Sequence, residues 1–189
     1  MNHFRRTMTA ALLALASSAA ASPSSIGVFF TPDATDCDAT IPYASLFDVY
    51  VVALPGTDAA NGGMTGAEFR LDGIDPGWFP QVTPSPLASI AVGNLFTSAG
   101  IAFESCQGPG PVLLYTVWCI MGTQPAPRVL RIERPTAPYD HNIAPVLVLC
   151  DAPIYTKIWV TGGQAFLNGG TCTVGVEADT WSAVKSMFR

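Results

Sequence analysis

The sequence predicts an all-β fold, a single antiparallel β-sandwich with a short helix at its C-terminal end. Composition gives the first observation: charged residues make up only 12% of the chain and apolar residues 49%, a charged share about half the usual one. The second is punctuation, because 17 glycines and 16 prolines interrupt the chain too often for long interior helices. The third is rhythm, since short apolar and β-branched runs alternate with Gly, Pro, Asn and Asp clusters, as strands do with turns. Disorder is excluded, because it needs low hydrophobicity and high charge.

Residues 1–21 read as a secretory signal rather than structure. Arg5 and Arg6 supply a positive start, Ala10–Ala16 a short apolar run, and Ala19-Ala20-Ala21 the small residues of a cleavage site. A membrane span needs ~20 apolar residues, so this run predicts cleavage after Ala21 and no membrane span. The first cysteine beyond it is Cys37, too distant to be lipidated. The expected organisation is then one sandwich domain over 22–178 and an amphipathic helix over 179–189.

Strands are expected at Ile26–Thr31, Leu46–Leu54, Ala67–Leu71, Leu87–Val92, Gly100–Ser105, Val112–Met121 and Arg128–Glu133. Val146–Cys150, Lys157–Thr161, Gln164–Leu167 and Thr171–Glu177 complete the series. Alternation along Ala67–Leu71 sends Phe69 and Leu71 to the core and Glu68, Arg70 and Asp72 to water. Val112–Met121 is apolar at nearly every position and predicts a central strand buried on both faces. Gly162-Gly163 and Gly169-Gly170 fit neither phosphate-loop spacing and read as hairpin glycines with positive φ. In the last segment Trp181, Val184 and Phe188 stand at i, i+3 and i+7, with Lys185 and Arg189 near the end. A helix of about ten residues is marginal alone in water, so this stripe is expected to dock on the sandwich.

The formal net charge is −5, and loss of Arg5 and Arg6 makes the exported chain more acidic still. Such a surface repels phosphate backbones, which argues against nucleic acid and anionic membranes as partners. Five cysteines in an exported chain point to disulfides with one thiol left over. A hairpin centred on QGPGP sets Cys106 opposite about Leu113, so Cys106 and Cys119 do not pair. Cys119, inside the most apolar run, is the expected buried free thiol. The expected bridges are Cys37–Cys106 and Cys150–Cys172.

No catalytic motif stands out. His141 has no G-x-S-x-G serine to serve and cannot form a histidine zinc site alone, so it reads as a loop residue. Asp72 and Asp75 in LDGIDPGW, with Glu68, Glu104 and Glu133, are the candidate carboxylates for a glycosidase pair, but the two aspartates sit where turn formers sit. Asp33, Asp36 and Asp38 form the densest acidic cluster. Their spacing fits no twelve-residue calcium loop, and a solvated loop is expected, with calcium left open. Trp78, Phe79, Tyr139, Tyr155 and Trp159 are candidate sugar-stacking rings, with core packing the favoured role. No catalytic, metal-binding or cofactor-binding residue is assigned.

The run Gly66-Ala67-Glu68-Phe69-Arg70-Leu71 followed by Asp72-Gly73 resembles the early strands of cohesin-like β-sandwich domains, which are exported protein-binding modules. The ending NGGTCTVGVEADTWSAVKSMFR resembles the ends of a group of uncharacterised secreted bacterial proteins. Those combine an export signal, one β-rich domain and a terminal Trp-containing helix. These resemblances imply an immunoglobulin/cohesin-like sandwich and export. The expected function is a secreted, non-catalytic binding or adhesion module for a protein or polysaccharide partner. The alternatives are a structural component of the cell envelope or an extracellular assembly, and a carboxylate-dependent hydrolase.

Overall fold

The computed structural model describes residues 23–57, 59, 63–136, 143–151 and 153–172. The signal 1–21, His141, Tyr139 and the helix 179–189 lie outside them, as does Thr171–Glu177 beyond Cys172. The strands are β1 (Ser25–Phe29), β2 (Asp38–Ala39), β3 (Leu46–Leu54), β4 (Met64–Asp72), β5 (Gln81–Pro84), β6 (Ala88–Asn94) and β7 (Ser98–Gln107). There follow β8 (Val112–Ile120), β9 (Arg128–Glu133), β10 (Val146–Leu149), β11 (Lys157–Trp159), β12 (Thr161–Gly162) and β13 (Gln164–Leu167). The helical geometry among the described residues is one 3-10 turn, Pro76–Trp78, capped by the Asp75 carboxylate on the Gly77 amide.

Two sheets face each other. The first runs β12-β1-β3-β8-β5. In the second, β4 is the hub: β7 and then β6 lie along one edge, while β10 and β9 share the other and lead to β11 and to β13-β2. Between the sheets lie Val28, Val49, Phe69, Leu71, Leu114, Val117, Leu130, Leu147 and Leu167, all buried. Phe69 and Leu71 point inward as alternation requires, and Asp72 is exposed. Glu68 and Arg70 are half-buried.

Four expectations are corrected. The sandwich is not purely antiparallel, because β1 pairs with β12 and β2 with β13 in parallel. The run Thr161–Leu167 crosses from one sheet to the other and joins each in the single direction it travels. Gly163 makes that crossing: its amide donates to the Ile26 carbonyl at 2.7 Å and its carbonyl accepts from Ile132 at 3.0 Å. A Cβ on Gly162 would lie 1.9 Å from the Ile132 oxygen, and one on Gly163 3.0 Å from the Gly27 Cα. This pair therefore serves close approach rather than positive φ, whereas Gly170 does have φ +95°. Strand β8 is central but not buried on both faces. Leu113, Thr116, Trp118 and Ile120 are only half-buried, because among the described residues no layer covers the outside of the first sheet.

The fourth correction is disulfide pairing. The bridges are Cys37–Cys172 and Cys106–Cys150, with Cα separations of 5.8 and 5.6 Å. Register explains the second, and register with a turn the first. The start of β4 carries the end of β7 on one edge and the end of β10 on the other, through Met64↔Gln107 and Met64↔Leu149. Cys106 and Cys150 therefore meet across Gly63, where a Cβ would lie 2.6 and 3.0 Å from the two sulfurs. The parallel pairing of β2 with β13 sets Asp38 beside Phe166, and the chain then turns back after Leu167, where Asn168, Gly169 and Gly170 all have positive φ, to return Cys172 to Cys37.

Cys119 is buried and free, as expected. Burial, with the nearby Asp48 charge adding, pushes its thiol up to about 12. The thiolate is the nucleophile, so Cys119 should resist alkylation in the folded protein at pH 8 and react only on unfolding. Folded-state labelling by iodoacetamide, read by mass spectrometry, would contradict this packing.

Candidate functional site

Register lays out the outer face of the second sheet row by row. One row reads Lys157, Val148, Gly66, Ala102, Ile90; the next reads Trp159, Val146, Glu68, Gly100, Val92. Residues paired across strands share a face, so these side chains stand away from the core. The row between them, Ile158, Leu147, Ala67, Ile101 and Ala91, points inward. At mid-sheet the outward rows hold Gly66, Gly100 and Ala102, which have almost no side chain. The larger residues stand to either side, and the result is a groove of about 520 Å³.

Ile90 and Val92 form one wall, and Val148 and Tyr155 line the opposite side. The Cys106–Cys150 bridge lies at one end. Ile90, Val92 and Tyr155 are exposed although apolar or aromatic, the condition that marks interaction surfaces when such residues cluster. Glu68 is tied to Lys157 at 2.8 Å. Glu104 is exposed on the lining and has no cationic partner among the described residues.

Most of the candidate carboxylates are tied to a basic side chain. Asp72 and Glu133 both pair with Arg70. Asp75 caps the 3-10 turn and meets Arg128 at 2.7 Å. Glu68 and Glu104 line the groove, where Glu68 is held by Lys157. Asp33 is held below the ordinary carboxylate range by hydrogen bonds with Thr31 and Thr35, a local turn arrangement. Among the described residues no three His, Cys, Asp or Glu side chains gather as metal ligands.

The aromatic candidates divide. Trp78 is a core residue, packed edge-on against Phe47 at 5.5 Å, with its indole N–H donating to the Thr123 hydroxyl. Phe79, Tyr155 and Trp159 are exposed. Sequence reasoning missed the groove floor, because Gly66, Gly100 and Ala102 carry no chemical group to attract notice.

The sandwich is similar to a type II cohesin domain from the cellulosome of Acetivibrio cellulolyticus, with a TM-score of 0.51 at 12% identity, over 78% of this chain and 96% of that one. Similarity also extends to the seventh ScaB type I cohesin of Pseudobacteroides cellulosolvens, with a TM-score of 0.48 at 9% identity, over 80% and 96% of the two chains. A non-cellulosomal cohesin from Archaeoglobus fulgidus gives 0.43 at 15% identity, over 77% and 91%. No protein-family model matches the chain and no curated protein is similar to it. What is shared with the first of these is the fold. Among the described residues no helix is long and apolar enough to cross a membrane.

Proposed function

We propose that the chain is an exported, non-catalytic module that holds a protein partner on the outer face of the β11-β10-β4-β7-β6 sheet. The groove carries this reading. Its floor of glycine and alanine lets a partner's backbone or side chain approach closely, and its exposed Ile90, Val92 and Tyr155 offer apolar area that binding would remove from water. Glu104 on the lining favours a partner that sets a basic residue beside its apolar anchors. Two disulfides fit an oxidising compartment, in keeping with the signal read at residues 1–21. The sandwich fold shared with a cellulosomal cohesin supports a place in an extracellular assembly by analogy of fold alone. A polysaccharide partner is the second reading, favoured by exposed Tyr155 and Trp159, whose rings can stack on sugars.

The test is a screen of the exported chain on protein and glycan arrays, repeated with Ala102→Arg, which fills the groove without touching the core. A protein ligand whose affinity falls at least tenfold, at unchanged melting temperature, is the expected result. Glycan ligands alone, or a protein ligand indifferent to Ala102→Arg, would overturn the proposal.

A further inference from the structure

The sheet edges of this sandwich are not equally protected. Edge strands invite pairing with another chain, and proteins blunt them with short length, proline or lysine. β5 is four residues and ends in Pro84, β11 is three residues and begins with Lys157, β2 is two residues with Asp38, and β12 is two residues. β6 has none of these devices. It is seven residues of sequence ASIAVGN, exposed from Ser89 onward, and its pairing among the described residues is to β7 alone. A bulge between Ala88 and Ile90 and a positive φ at Gly93 bend its two ends, leaving Ile90-Ala91-Val92 as a regular stretch paired to β7 on one side and to no described strand on the other.

This edge lies on the open side of the sandwich. The two sheets part between β5 and β6, leaving a hollow of about 360 Å³ lined by Val82, Pro84, Ala91, Val92, Leu95 and Phe96. Ile90 and Val92 are 57% and 59% exposed, and Leu87, just before β6, is also exposed. Electrostatics single out the same region. In a chain of net charge −5, no charged residue occurs between Asp75 and Glu104. Two copies of an acidic protein repel each other across most surfaces, and this is a surface where they do not.

We propose that two copies of this chain join edge to edge through β6, antiparallel and centred on Ala91. The sequence is self-complementary in that register. Ala91 faces its own counterpart, and Ile90 of each copy faces Val92 of the other, on the outward side of the sheet. The sheet-to-sheet hydrogen bonds then satisfy the open edge, and the four branched side chains shelter one another from water. Contact between identical patches closes on itself. Because the other edges are short or blocked, assembly stops at two. The dimer shares Ile90 and Val92 with the wall of the groove, but it requires no second protein.

The test uses the exported full chain with no ligand present. Sedimentation over a hundredfold concentration range should show reversible dimerisation. Ala91→Cys should yield a covalent dimer on mild oxidation, since directly opposed Cβ atoms lie about 4.5–5.5 Å apart, while Ser105→Cys on β7 should not. Ile90→Lys combined with Val92→Lys, both at exposed positions, should weaken association at least tenfold without lowering the melting temperature. A chain that stays monomeric throughout, or a dimer that survives the two lysines, would overturn the proposal. Loss of array ligands with dimerisation intact would instead count against the groove alone.

Discussion

Phe69→Ala should lower the free energy of unfolding by about 3–5 kcal/mol, as truncation of a fully enclosed ring does. Phe69 is 0% exposed. It stands on β4 in one sheet and meets Tyr115 on β8 of the other edge-on, with ring centroids 5.9 Å apart. The substitution therefore removes a contact between layers, together with the area it buries, and leaves a cavity where neither backbone can close in. Domains of this kind are stable by about 5–15 kcal/mol in all, so the loss is a large fraction of the total. Urea denaturation should show an earlier midpoint at unchanged slope. A midpoint equal to the parent's would mean that Phe69 is not in the core.

Replacing Cys37 and Cys172 together by alanine should cost a comparable amount. The bridge joins residues 135 apart in sequence, and restricting so long a loop in the unfolded chain is worth about 5 kcal/mol in the chain-entropy description, with measured losses of about 2–5 kcal/mol. Cys106–Cys150 closes a shorter span of 44 and should cost somewhat less by the same argument. Denaturation of the two double variants checks the order. Peptide mapping of the native protein checks the pairing itself: fragments linking Cys37 to Cys106, or Cys150 to Cys172, would contradict the sheet register that brings the observed partners together.

How much of this was legible in the sequence depends on whether the cause of each feature is local. The bounds of β3, β9 and β13 coincide with the apolar runs Leu46–Leu54, Arg128–Glu133 and Gln164–Leu167, because a strand buried on one face writes its own pattern. β5 wrote none. All four of its residues are exposed, and it exists because β8 offers an open edge, pairing Gln81 with Trp118 through Pro84 with Tyr115. The reading of Cys119 as a buried thiol succeeded for a local reason, its place in an apolar run. The reading of the disulfides failed for a non-local one, since which sulfurs meet depends on which strands share β4 and β2 as neighbours.

The same division runs through the candidate site. Glu68, Glu104 and Tyr155 were singled out for their chemistry and do line the groove. The groove itself is made by Gly66, Gly100 and Ala102, which register brings together from strands far apart in sequence. By itself the sequence determined the all-β class, the inward parity of Phe69 and Leu71, the acidic surface and the presence of one spare thiol, because composition and alternation act residue by residue. Only the tertiary structure decided the disulfide partners, the glycine crossing at Gly162-Gly163 between sheets, the hollow outer face and the bare edge of β6. Each of these is a relation between strands, and no strand carries in its own residues the identity of its neighbour.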